Sequence, residues 1–265
     1  MEKNRDWIFI GFYCCDFGLC LKQLQWKQTR KNFWNKILTE IANGLGKDIE
    51  DIKGNQTGHQ SGIAACDYFR KILTGQKVNT DSLAINYLSV TRDFIAIQNV
   101  AGYETLKARG LELIENDSLR HQIISLYEFD YTIFRKLEEE YSEMQFQENY
   151  FKELNQALAP NFIFDDQQEI KGIRLPLNIP EGQKNILLSY LWKIQKNREY
   201  IINYYSDVEE KIRKIRKHIM DKKWEEVEIE APCYLKFVLV NSLSSYFVPA
   251  LSIKRAVMNT IFLFF

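Results

Sequence analysis

The sequence predicts an all-α protein in which long antiparallel helices form an elongated bundle, interrupted by one short irregular or hairpin crossing loop. Two observations carry this expectation. Apolar residues recur at three-four spacing over long reaches, from Trp34 to Ile52, from Ile123 to Leu158 and from Leu187 to Ile219, which is the stripe a helix buries on one side. Five prolines and twelve glycines in 265 residues are too few for the many turns of a β sandwich.

Composition removes several function classes. Lys plus Arg equals Asp plus Glu at 35 each, whereas phosphate contacts normally give a nucleic-acid binder a basic excess. Three histidines leave histidine chemistry few places to start. The five cysteines form no C-x-x-C pair, and the nearest further ligand to Cys14, Cys15 and Cys20 is Asp16, so no metal site is expected and the thiols read as buried or incidental. No cofactor motif is present.

In chain order, Trp7–Leu21 is apolar except for Asp16, but its fifteen residues fall short of the roughly 20 a spanning helix needs. A basic flank follows it, with no small-residue cleavage site. Asn32–Leu73 reads as helix with a weak centre, where Gly54, Gly58 and Gly62 recur every fourth residue. Without the Gly-Lys-Ser/Thr ending these do not make a phosphate loop. They predict a helix break or a close packing contact, because each interior glycine costs about 1 kcal/mol relative to alanine. His59 reads as a polar edge residue. Thr74–Asn79 is a turn, Thr80 or Asp81 caps a short helix carrying Leu83, Tyr87 and Leu88, and Asp93–Val100 is either an extended link or that helix's end.

The best-specified stretch comes next. Tyr103 and Leu106 sit on a short helix that Gly110 can end by taking the left-handed conformation. Asn116, Asp117 and Ser118 then offer side-chain oxygens to cap a new helix. Its stripe, broken only by Asp130, Glu148 and Asn155, continues to Leu158 and would be about 60 Å long if unbroken. Glu138, Glu139, Glu140 and Glu143 read as a solvated face, since carboxylates do acid-base work only when desolvated and facing each other, and His121 reads as surface or interface. Pro160–Pro180 holds three prolines and predicts the crossing loop. Glu181–Lys223 returns to helix and ends in Lys211, Arg213, Lys214, Arg216, Lys217, Lys222 and Lys223. These suit the negative end of the helix dipole, and interleaved acids make them a solvated end more than a lipid or RNA surface. The apolar tail from Cys233 contains Lys236, Asn241, Pro249, Lys254 and Arg255, which make it a poor membrane span. The expected domains are an N-terminal apolar/basic segment (1–31), a helical bundle (32–223) and a C-terminal apolar tail (224–265).

The string Gly102–Arg120 (GYETLKARGLELIENDSLR), with LYEFDY at Leu126–Tyr131 and the helix Ile201–Lys217, resembles a bacterial family of uncharacterised proteins. That family has a helical domain of unknown function, usually behind one N-terminal transmembrane helix. The resemblance covers about Phe33 to Lys223 and implies a membrane-anchored helical module with no catalytic residues to carry over. Both ends depart from the family pattern. Read one base out of frame, the codons before about Lys31 can encode a charge-free span and an Asn-rich junction, so a frameshifted anchor is the expectation there. Localisation is then single-pass membrane by resemblance, or cytoplasmic if the N-terminus is genuine.

The expected function is a non-enzymatic module that presents a surface to a protein partner or to itself, with nucleic acid not expected. The candidate surface is Gly102, Tyr103, Leu106, Lys107, Gly110, Asn116, Asp117, Leu119 and Arg120. The plainer reading of the same residues is that they fix the angle between two helices. The competing expectation is a ligand or enzymatic site between the helices, built from Tyr103, Glu104, Lys107, Arg109 and Asp117. Convergence of those side chains on a pocket would favour it.

Overall fold

The computed structural model describes the backbone of residues 6–242 and the side chains from Gln25 to Asp221, Lys27, Arg30 and Lys31 excepted. The apolar stretch Trp7–Leu21, its cysteines and the tail after Lys223 therefore lie outside the residues whose side chains are described. The chain divides into two compact units, Met1–Met220 and Asp221–Phe265, and the packing below is that of the first. The protein is mainly α-helical, with one two-stranded sheet. No helix among the described residues is long and apolar enough to cross a membrane.

Helix α1 (Asp6–Leu73) runs without interruption through Gly54, Gly58 and Gly62, so of the two expectations there the break is not met. Two of the three glycines make the close packing contact that was the other expectation. A Cβ at Gly58 would overlap the Phe94 ring, and one at Gly62 would run into the Arg198 guanidinium, while Gly54 faces open space. Gly75 takes a positive φ of 74° in the turn after α1. Asn79, rather than Thr80 or Asp81, caps the next turn by accepting from the Asp81 N–H at 3.0 Å, and α2 (Leu83–Val90) follows. Asp93–Asn99 is extended, and α3 (Ala101–Arg109) begins two residues later.

The long helix predicted from Asp117 to Leu158 is divided. It starts as α4 (Asp117–Ile124), widens into a π turn over Ser125–Asp130, returns to α5 (Tyr131–Arg135) and widens again over Lys136–Glu140. At Tyr141, with ψ 107°, the chain leaves the helix, and α6 (Phe146–Leu158) starts after a short 3-10 turn. Neither glycine nor proline lies in this reach, so the break has a tertiary cause. Amide side chains take up the carbonyls it frees: Gln145 donates to the Glu138 carbonyl at 2.6 Å, Asn149 to Ser142 at 2.5 Å and Asn197 to Glu143 at 2.8 Å. Asp93 accepts from the first N–H groups of α6, Phe146 at 2.8 Å and Gln147 at 3.3 Å. A helix end left without such partners would cost the desolvation of each orphan group.

The Pro160–Pro180 loop contains a small antiparallel hairpin, β1 (Phe162–Phe164) with β2 (Ile170–Ile173). Its tip is held by Asp165, which accepts from Gln167 N–H and Glu169 N–H, both at 2.9 Å. Helix α7 (Glu181–Ser242) follows, and side chains of α1 and α7 meet at several points. Arg70 donates to Gln195 at 2.6 Å, Arg198 meets His59 at 3.0 Å, Gln56 donates to Ser206 at 3.0 Å, and Arg216 donates to the Ala42 carbonyl at 3.2 Å. Near its basic reach Arg213 and Lys214 pair with Glu209 and Glu210 one turn back, and Lys211 pairs with Asp130 at 2.6 Å. Lys222 and Lys223 lie outside the described side chains.

The core has two apolar clusters. One takes Ile37–Ile52 of α1 with Leu106, Leu119, Phe134 and Ile201–Ile219; the other takes Ala65–Leu73 with Leu83, Leu154, Phe162 and Leu187–Ile194. Between them, along α1 and α7 alike, sit the buried polar side chains His59 and Arg198.

Candidate functional site

Within the predicted surface at Gly102–Arg120, Gly102, Tyr103, Leu106 and Leu119 are buried packing positions, whereas Lys107 and Asp117 are exposed. Gly102 lets α3 press against the backbone of α1: a Cβ there would sit 2.9 Å from Ile41 Cγ1 and 3.0 Å from the Ile41 nitrogen. Tyr103 is buried and stacks on Tyr127 with ring centroids 4.4 Å apart. Its hydroxyl donates to Glu128 at 2.8 Å, and Lys107 donates to the same Glu128 oxygen at 2.6 Å. The lysine and tyrosine donors hold the Glu128 carboxyl below its usual range. GYETLK thus docks onto LYEFDY, and the two strings are halves of one contact.

Gly110 ends α3 at φ 109°, donating its N–H to the Leu106 carbonyl at 3.0 Å. Asn116 caps α4 by accepting from Leu119 N–H at 2.9 Å. Leu106 and Leu119 are fully buried. Arg120 pairs with Asp117 at 2.5 Å and donates to the Ile114 carbonyl at 3.0 Å. Of the five side chains proposed to line a ligand site, Tyr103 turns into the core, Lys107 reaches Glu128, Arg109 lies over the Phe33 ring and Asp117 pairs outward with Arg120. Glu104 is exposed. Beyond the Glu128 oxygen that Tyr103 and Lys107 share, they do not converge.

Sequence reasoning missed the buried polar groups, and these do converge, on the extended strap Asp93–Asn99. Asp48 accepts from the Asn99 N–H at 2.8 Å, its side-chain amide at 2.6 Å and the Tyr131 hydroxyl at 2.5 Å. Asp51 accepts from the Ile97 N–H and Glu138 from the Ala96 N–H, each at 2.8 Å. Glu138 also accepts from the Tyr205 hydroxyl. The glutamate run is therefore not wholly a solvated face: Glu139 and Glu140 are exposed, but Glu138 is 4% exposed. Burial pushes its carboxyl up to about 7, against the lowering effect of its two donors. Burial likewise raises Asp48 and Asp93 from the ordinary aspartate value.

Arg198 closes the N-terminal end of the strap. Fully buried, it donates to the carbonyls of Val90 at 3.2 Å and Arg92 at 2.8 Å, and reaches Ser89 at 3.4 Å. Its cation thus meets the negative end of α2, and it lies 4.4 Å over the Phe146 ring. Desolvation lowers its pKa to about 10. His59, expected at an edge, is 2% exposed and lies between Phe94 and Tyr205, its Nδ1 facing Arg198 at 3.0 Å. Desolvation, then the adjacent arginine, hold it down to about 3, so it is neutral and Nδ1 accepts. His59 Nε2 and Arg198 Nε are buried without a partner. Cys66, also buried, is pushed up to about 11 and is inert as a nucleophile.

One signal could have found this network: the polar residues Asp48, His59, Asp130, Glu138 and Arg198 fall on the apolar faces of otherwise regular stripes. Among the described residues, no group of three His, Cys, Asp or Glu is placed to hold a metal ion. No protein-family model, no curated protein and no solved structure matches this chain.

Proposed function

We propose that the chain is a non-enzymatic helical module that acts through protein contacts, and that its Gly102–Arg120 segment sets the angle between α3 and α4. The observation that carries this is where the polar groups point. Tyr103, Lys107, Arg109 and Asp117 each end on a neighbouring side chain, and Asp48, Asp51, Glu138 and Arg198 end on backbone. An enzyme or ligand site needs such groups aimed at one shared space.

The architecture we infer is an elongated bundle built on antiparallel long helices. The supporting fact is the order of contacts: Ala42, Gln56, His59 and Arg70 of α1 meet Arg216, Ser206, Arg198 and Gln195 of α7. Partners on one helix rise as those on the other fall. The resemblance adds an N-terminal membrane anchor in relatives, which we carry as part of the same proposal.

A paired set of variants tests the module reading. Glu104→Ala with Arg109→Ala alters only exposed side chains of the segment. Self-association, read by sedimentation, or binding to a co-purified protein should weaken while the melting temperature stays constant. Saturable thermal stabilisation by a small molecule, lost in Tyr103→Phe or Lys107→Ala, would instead make this a ligand-binding protein.

A further inference from the structure

The strap Asp93–Asn99 has an unusual attachment for an extended segment. It pairs with no strand, and three of its N–H groups are taken by carboxylates from two helices: Glu138 on Ala96, Asp51 on Ile97 and Asp48 on Asn99. Ala96 is buried between exposed Ile95 and Ile97. The strap is thus fastened by groups that can change charge, where a sheet would use groups that cannot.

We propose that the strap is a pH-gated fastening, held tightly while Glu138 is protonated and loosened when Glu138 ionises. The groups facing Glu138 argue for this. From α7, Tyr205 presents its hydroxyl; from the strap, Ala96 presents its N–H; from α1 comes the like charge of Asp51, with Asn55 engaged on Tyr205; from its own turn, Glu139 adds a second like charge. No lysine or arginine pairs with Glu138 among the described residues. A protonated Glu138 keeps both contacts, its carbonyl oxygen accepting from Ala96 and its hydroxyl donating to Tyr205. An ionised one holds a buried charge beside Asp51 with two neutral donors, and a buried charge without a counter-ion is costly. Lifting the strap would return it to water.

The sign follows from the two states. Burial raises the fastened Glu138 from 4.5 to about 7, so opening releases a proton between those values and is not pH-dependent above them. Amide hydrogen exchange, corrected for the intrinsic rate, reads this directly. Protection of Ala96 and Ile97 should fall roughly tenfold per pH unit from about pH 5 to about pH 7 and then level off, while Val208 and Ile212 in α7 hold theirs. Glu138→Gln, which keeps an acceptor for Ala96 but cannot ionise, should remove most of this fall, leaving only what Asp48 contributes through Asn99. Should that variant not fold, Asp51→Asn removes the neighbouring charge and should move the levelling point to lower pH. Protection that is independent of pH in the wild type, or the same fall in Glu138→Gln, overturns the proposal, as does an unmoved levelling point in Asp51→Asn.

Discussion

At the scale of single residues, the Gly102–Arg120 string is explained by space and by backbone angles. Gly110 occupies φ 109°, a conformation that an L side chain adopts only with strain. Gly110→Ala should therefore lower stability by about 1 kcal/mol or somewhat more. Asn116→Ala removes the cap on Leu119 N–H and should cost about 1 kcal/mol. Gly102→Ala forces a Cβ against the Ile41 backbone, and the backbone of a packed helix has little room to give. Urea unfolding of the three variants, with Glu104→Ala as an exposed control expected within about 0.5 kcal/mol of wild type, measures all of this. A Gly110→Ala protein as stable as wild type would mean that α3 ends elsewhere.

At the scale of elements, the break between Glu140 and Phe146 depends on side chains far away in sequence. Asp93 does for α6 what a local N-cap residue normally does, accepting from Phe146 and Gln147 N–H from more than fifty positions away. Asp93→Ala should destabilise by about 1 kcal/mol and speed amide exchange at Phe146 and Gln147 first. If those amides keep wild-type protection, α6 has another cap. This element also marks what the sequence could reveal. The stripes Ile37–Ile52, Ile123–Phe134 and Leu187–Ile219 were legible because burial and helical period are the same fact written twice. The cap at Asn116 and the stop at Gly110 were legible because both act within a few residues. The break at Tyr141 was not, since its partners Asn197 and Asp93 come from α7 and the strap. Nor was the choice between the two roles expected of Gly58 and Gly62: a glycine that ends a helix and one that admits a neighbour look alike until the neighbour, here Phe94 or Arg198, is known.

At the scale of the whole molecule, the polar layer between the two apolar clusters ties stability to pH through groups of opposite sign. Glu138 has a folded pKa of about 7, above its ordinary 4.5. Its contribution is therefore fully present below 4.5 and lost as pH rises through about 7. Asp48 and Asp93 are shifted in the same direction. His59 is depressed from 6.5 to about 3, because neither the apolar surroundings nor Arg198 tolerates a second cation there. Its contribution is present above 6.5 and lost as pH falls toward 3. Where the windows overlap, from 6.5 down to 4.5, gain at Glu138 and loss at His59 oppose each other, and the stability profile should be shallow. Below that range Glu138 has nothing further to give, and protonating the unfolded-state histidine should drive a loss on the order of a few kcal/mol. His59→Gln separates the two: its amide oxygen can still accept from Arg198, and it does not titrate. Melting temperatures of wild type and His59→Gln between about pH 7 and about pH 3 should converge on the acid side, with the variant less stable at neutrality and flatter in acid. An acid limb equally steep in both would place the titrating group outside this layer.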